Sequence, residues 1–319
     1  MPNLHQTPLP AGFVDAGAQV TPATAVAFLE GPAADANGQV YFSDIINNRI
    51  LKFDSRTGEF SVWRADSGRS NGLLFDAQGR LLACEGNEFG GNGNRRITRT
   101  DMQTGKVEVL TDRFEGKRYN APNDIAARSN GQIFFTDPSY DRRQEMELSH
   151  ESVYRIDTNG AVTRIITQPD DIQRPNGIAL SPDERTLYVV DSNRGQNTNR
   201  KIWAFDLDPA GKPSGHRLVF DFAPGRGGDG MAVDIEGNLY IAAGVHRARN
   251  DSETTDVPTG IYVISPAGKL HGRIPIPEDV ITNVTFGGDD LRTLYITSGK
   301  TLWQIRVKIP GFVVHRKAR

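Results

Sequence analysis

Cysteine is nearly missing from this chain. Its one thiol, Cys84, rules out an intrachain disulfide and a cysteine-rich zinc site. Long apolar runs are missing as well. None approaches the roughly 18 residues of a membrane span. Neither sign of charge is in excess: 37 Lys and Arg stand against 39 Asp and Glu, a formal net charge of −2. Nucleic-acid binders are as a rule basic, so that partner is excluded, and a membrane partner with it. The N-terminus, MPNLHQTPLPAGF, has neither a basic n-region nor an apolar h-region, so the expected compartment is the cytoplasm. No segment holds a 3.6-residue period for three turns, which argues against crossover helices and parallel sheets. QEMELSHES (144–152) reads as a short helical turn at most.

What the chain has in quantity is turn chemistry, with 33 Gly and 18 Pro, and a repeat. Each copy is a small polar residue, an apolar run, a turn of Asp, Asn or Gly, and a second apolar run. The copies are EGPAADANGQVYFSD (30–44), NGLLFDAQGRLLACE (71–85), NDIAARSNGQIFFTD (123–137), NGIALSPDERTLYVVD (176–191), DGMAVDIEGNLYIAA (229–243) and NVTFGGDDLRTLYITS (283–298). Their first residues, Glu30, Asn71, Asn123, Asn176, Asp229 and Asn283, are 41, 52, 53, 53 and 54 positions apart. Two further β-like runs follow each of the first five copies, as in NRILKFD and EFSVWRA after the first.

Four-stranded units repeated in this way predict an all-β fold, a six-bladed β-propeller with four antiparallel strands per blade, in one domain over 1–319. The sixth copy lacks a fourth strand. The N-terminal segment 1–29, around GAQVTPATAVAF, is the expected donor, with FVVH (312–315) competing.

First strands line a propeller's channel, so the six opening residues should gather near one end of the axis. Each is Glu, Asp or Asn, an oxygen ligand. Asn or Asp before Gly is also an ordinary turn signal, but six aligned instances favour the channel. Two carboxylates in a narrow channel repel and lose solvation, which a divalent cation relieves. Oxygen ligands without His or Cys suit a hard ion such as Ca²⁺, Mg²⁺ or Mn²⁺. The second-run ends Asp44, Glu85, Asp137 and Asp191 form another acidic set, read mainly as hydrogen-bonded blade ends. GRSNG (68–72) fits a nucleophile elbow by spacing alone, since it runs into a strand and not a helix. GNEFGGNGNRR (86–96) reads as a flexible loop.

EGP (30–32), RYNAPND (118–124), RPNG (174–177), GDGMAVD (228–234) and NVTFGG (283–288) together give the chain a specific resemblance. It resembles the gluconolactonase and senescence-marker-protein (regucalcin) family, which includes diisopropylfluorophosphatase. The resemblance implies a six-bladed propeller with one catalytic divalent ion, Ca²⁺ foremost, with Zn²⁺, Mg²⁺ or Mn²⁺ as alternatives. It implies Glu30, Asn123, Asn176 and Asp229 as ligands. Arg118 and Asn120 would contact substrate. Asn71, Asn283, Asp137 and Asp191 join them as expected substrate-facing residues. The implied activity is hydrolysis of a sugar lactone: the ion polarises the carbonyl, water attacks, and Asp229 serves as the base, with Asp191 or Asp137 behind it. A phosphotriesterase-like hydrolase and a non-catalytic metal- or protein-binding propeller are the alternatives. In this sequence EGP is followed by AAD where the family places an aromatic, which removes one wall of the expected site. Loops 138–151 and 244–259 are expected to overhang the channel. The oligomeric state is left open.

Overall fold

The apolar runs become strands because they are buried on both sides and are closed by the same turn. In blades 1, 2 and 5 the first two strands are joined by Asp-x-x-Gly. The Asp side chain accepts amide hydrogen bonds from residues two and four further on: Asn37 and Gln39 on Asp35 Oδ1 at 2.7 and 2.9 Å, Gln78 and Arg80 on Asp76 Oδ1 at 3.0 Å each, and Glu236 and Asn238 on Asp234 Oδ1 at 2.9 Å each. This Asx geometry replaces a backbone turn and fixes the hairpin's register.

The computed structural model describes residues 7–168, 171–193, 195, 197–249 and 253–316. It is a six-bladed β-propeller of six four-stranded antiparallel sheets, with one extra two-stranded hairpin, Arg113–Phe114 with Lys117–Arg118. The innermost strands are Leu29–Ala34, Ser70–Phe75, Ile125–Ala127, Pro175–Leu180, Gly228–Val233 and Ile281–Gly287, for blades 1 to 6. The outermost strand of blade 6 is Thr21–Ala25, paired antiparallel with Thr301–Arg306. The start of the N-terminal segment, residues 1–6, lies outside the described residues. FVVH is not a blade strand. Phe312 N donates to Val233 O at 2.8 Å, and the tail crosses the end of the channel remote from the cavity described below. The expected helical turn is a single 3₁₀ turn, Arg143–Glu145. No helix of the described residues is long and apolar enough to cross a membrane.

The core is divided into six clusters, each between two neighbouring blades. Edge-to-face aromatic pairs join blades directly: Tyr41 with Phe75 (ring centroids 5.5 Å apart) and Tyr240 with Phe286 (5.0 Å). Strands therefore grade from wholly buried at the axis, as in Pro175–Leu180, to mostly exposed at the rim, as in Phe60–Ala65. Hydroxyls tie neighbouring blades together at three of the junctions. Ser43 Oγ donates to Asn71 O, Thr136 Oγ1 to Asn176 O and Thr282 Oγ1 to Leu29 O, each at 2.7 Å.

Candidate active site

In five of the six blades the inner strand meets its neighbour through a bulge, and in blades 2, 4 and 5 the bulge carries the site residue, whereas Glu30 stays in its ladder opposite Ser43 and Asn123 precedes its strand. In blade 2 the ladder pairs Ser70 with Glu85 and resumes at Leu73 with Ala83, so Asn71 and Gly72 are the extra pair. Asn176 and Gly177 are the extra pair in blade 4, and Asp229 and Gly230 in blade 5. A bulge swings its side chain out of the pleat, here toward the channel. The glycine after it is a packing requirement as well as a turn preference. A Cβ on Gly177 would lie 2.4 Å from Asp229 O, and one on Gly72 would lie 2.6 Å from Asn123 O. The inner strands approach closely enough to exclude any side chain there.

Five of the six repeat-opening residues line one cavity of about 120 Å³: Glu30, Asn71, Asn123, Asn176 and Asp229. Asn283 is the exception. In blade 6 only Thr282 is skipped, so Asn283 stays in the ladder opposite Thr297. Its Nδ2 donates to Asp124 Oδ2 at 3.3 Å, and it lines a second, mainly apolar axial cavity of about 90 Å³ beneath, covered by Phe312, Val313 and Val314.

The cavity is charged. Burial, and then the nearby Asp229 and Asp124 carboxylates, raise the Glu30 carboxyl well above the ordinary range. Asp124 is itself pushed up to about 7, chiefly by burial. One cation answers this charge directly. Arg226 Nη2 donates to Asp229 Oδ2 at 2.5 Å, while Nη1 reaches the carbonyls of Ile281 (3.1 Å) and Gly244 (3.4 Å). Asn176 Nδ2 donates to the Tyr140 hydroxyl at 2.7 Å. The side-chain amides of Asn71 and Asn123 make no hydrogen bond to a described residue, although both residues are buried. Among the described residues no three His, Cys, Asp or Glu side chains are grouped to hold a metal. Of the repeat-opening residues, two carboxylates, Glu30 and Asp229, and the amides of Asn71, Asn123 and Asn176 meet there.

The remaining expected residues lie outside this lining. Arg118 turns away, its Nη2 donating to the carbonyls of Asn94 (3.0 Å) and Gly93 (3.3 Å). Asn120 Nδ2 donates to His150 O at 3.2 Å. Asp137 accepts the amides of Asn120 (2.9 Å) and Ala121 (2.8 Å), and burial pushes its carboxyl up to about 7. Asp191 accepts from Arg174 N (2.8 Å), Asn199 Nδ2 (2.7 Å) and Trp203 Nε1 (3.3 Å). Asp44 and Glu85 are hubs of the same kind, paired with Arg49 and with Arg64 and Arg96. All four blade-end acids brace connections. Ser70 of GRSNG is wholly buried in its strand and bonded to Ser43 Oγ at 3.0 Å.

Sequence reasoning missed Arg226, Tyr140, Phe28, Glu88, Phe89, Asp141 and Val280, which also line the cavity. Arg226 stands three residues before Asp229, which is the one local signal. Both loops expected to overhang the channel do reach it: Tyr140 and Asp141 come from 138–151 and Arg249 from 244–259, of which 250–252 lie outside the described residues. Arg249 is clamped by Glu253, its Nε to Oε2 at 3.0 Å and its Nη2 to Oε1. The loop 86–96 is tied down on all sides. Arg69 Nε donates to Gly91 O at 2.6 Å, Asn87 Nδ2 to Glu145 Oε2 at 2.8 Å, and Tyr140 N to Glu88 Oε1 at 3.0 Å.

A sequence profile described as the SMP-30/Gluconolactonase/LRE-like region matches residues 28–300. The gluconolactonase of Zymomonas mobilis subsp. mobilis is 30% identical over 316 residues, covering 91% of this chain and 81% of that one. A solved gluconolactonase from Xanthomonas campestris superposes with a TM-score of 0.77 at 32% identity, covering 93% of this chain and 91% of the other. A structure described as a calcium-binding protein, regucalcin, from Agrobacterium tumefaciens shares the fold at a TM-score of 0.72 and 22% identity, covering 97% and 98%.

Proposed function

Because the chain belongs to the SMP-30/gluconolactonase/LRE-like family, we propose that it hydrolyses a sugar lactone to the corresponding hydroxy acid. The observation that carries this reading is the meeting of Glu30, Asn123, Asn176 and Asp229, from four blades, around one buried cavity.

The donor set fits one hard divalent ion, with Ca²⁺ preferred over Zn²⁺, Mg²⁺ and Mn²⁺. Two carboxylates match its charge, and the amides supply neutral oxygens. The Glu30 carboxyl, raised by burial and by neighbouring carboxylates, and the Asn71 and Asn123 amides, which make no hydrogen bond to a described residue, suit coordination of a cation. Glu30, Asn123, Asn176 and Asp229 would hold the ion, which when bound polarises the ester carbonyl.

The chain's own groups do the rest. Tyr140 fixes the amide of Asn176 through its hydroxyl. Arg226 orients Asp229 through Oδ2 and faces the cavity, where a fixed cation stabilises an oxyanion as it forms. In this reading it takes the role expected of Arg118. Asp229 Oδ1 accepts no hydrogen bond from a described residue, and it takes the proton of the attacking water. Residues 1–319 act as one domain with a small lactone as partner.

The test is a lactone screen with calcium, magnesium, manganese or zinc, run beside Asp229→Ala and read by acid release. Turnover of lactones by the parent and its loss in the variant supports the reading. An organophosphate hydrolysed in place of every lactone, or no turnover with any of the four ions, overturns it.

A further inference from the structure

Ala33, Ala34 and Asp35 follow Glu30-Gly31-Pro32, so the aromatic wall expected after that motif is absent. Two aromatic rings reach the cavity from elsewhere. Phe28 lies two residues before Glu30, and Phe89 lies in the loop after Leu81–Glu85 of blade 2. Both line the cavity, with ring centroids 4.5 Å apart and planes tilted by 49°.

Phe89 is unusual in two independent respects. It is 41% exposed, although a phenyl ring is stabilised by burial. Its φ is +57°, a region that bulky L residues enter only under constraint. The constraint is visible. The Phe89 amide donates to Asp141 Oδ2 at 2.9 Å, which ties this loop to the loop from blade 3. The contact with Phe28 covers one side of the ring and leaves the rest half-exposed at the mouth of a polar cavity, where burial does not account for it. Binding does.

We propose that Phe28 and Phe89 form the platform on which the lactone ring lies, its C–H face against the aromatic rings while its carbonyl enters the polar cavity. This rests on the lactonase reading and adds the orientation of the substrate. A sugar lactone has the required two-sided character, with hydroxyls around its edge and C–H groups on its faces. Carboxylates and amides then meet the edge, and the aromatic pair meets the face. A contact of this kind holds ground state and transition state alike, so it changes KM and leaves kcat alone. Its expected size is that of one aromatic pair, up to about tenfold in affinity.

The experiment compares the parent with Phe89→Ala, Phe28→Ala and Phe89→Trp. It measures kcat and KM for gluconolactone, and calorimetric binding of anhydroglucitol, the ring ether without the carbonyl. Either alanine should raise KM about tenfold and weaken anhydroglucitol by the same factor, with kcat within about twofold of the parent and the tryptophan restoring both. KM and binding within about twofold of the parent in both alanine variants overturn the proposal. So does a parent that binds neither sugar. Phe89 is exposed, and an unchanged melting temperature confirms that its variants fold. A parent that turns over no lactone defeats the lactonase reading alone, and the calorimetry still decides on the platform.

Discussion

Arg226 and Asp229 are three residues apart, and the guanidinium of one donates to the carboxylate of the other at 2.5 Å inside the axial cavity. Both side chains are 7% exposed. The pair sets the charge of the site. In the cavity lining, two guanidiniums, Arg226 and Arg249, stand against the four carboxylates of Glu30, Glu88, Asp141 and Asp229, and the remaining negative charge is what a divalent ion would answer. Removing one partner of a buried pair costs about 3–5 kcal/mol, because the other is left unmatched. Arg226→Gln should therefore melt well below the parent in chelator. It should also gain more melting temperature from added calcium than the parent does, since its cavity carries one charge more. Equal calcium-induced shifts in the two proteins would refute this.

Glu30→Gln and Asp229→Asn keep the shape of the cavity and each remove one charge. Lactone turnover should fall at least about a hundredfold in each with excess calcium, with unchanged circular dichroism. Arg118→Gln, whose guanidinium serves two loop carbonyls, should stay within about threefold of the parent. Steady-state kinetics on the three variants separates the residues that line the cavity from the one that does not.

Gly177→Ala tests the reason for the glycine after Asn176. The added methyl would sit 2.4 Å from the Asp229 carbonyl, a backbone atom of the next blade that has nowhere to go. Overpacking against backbone exceeds the usual about 1–3 kcal/mol of a core insertion. Chemical denaturation should show a loss of that size or greater. A variant as stable as the parent would mean that the inner strands can separate freely.

The C-terminal tail carries a pH-dependent contact. His315 packs against Phe75 at 5.3 Å between ring centroids, and burial together with Arg316 lowers its pKa from 6.5 to about 4, against the opposing effects of the Ala34 backbone, Asp76 and the Phe75 backbone. The folded state then binds fewer protons than the unfolded state between those values. The stability that the neutral ring contributes is complete above pH 6.5 and is lost as pH falls toward 4. Denaturation at pH 7 and pH 5 should show a loss of up to about 2 kcal/mol that His315→Phe largely removes. An identical pH dependence in parent and variant would dismiss this residue as the cause.

Chelator should abolish lactone turnover and added calcium should restore it, with circular dichroism unchanged throughout because the blades close through strand pairing and apolar cores. Unfolding in chelator would instead make the ion a structural component.

Much of the fold was legible because it is written locally and six times over. Asp35, Asp76 and Asp234 start the same Asx turn, and the apolar runs on either side have no alternative but a doubly buried strand. The repeat register likewise marked Glu30, Asn71, Asn123, Asn176 and Asp229, which meet in one cavity. The same register misplaced Asn283, because a repeat shows alignment and not where a bulge falls. Asn283 instead pairs opposite Thr297 and donates to Asp124 Oδ2, which places it on the other cavity. Arg118 and Asn120 were carried over from family motifs, and their loop turns both toward backbone carbonyls.

The sequence by itself determined the strands, the turns and the recurrence of an oxygen-bearing residue at the mouth of each unit, since all of these depend on neighbours a few positions away. Tertiary structure alone decided which of those residues share a cavity, that Arg226 is their counter-charge, and that Phe28 and Phe89 stand at its mouth. Those relationships join residues from different blades, and their distances are fixed only when the ring closes.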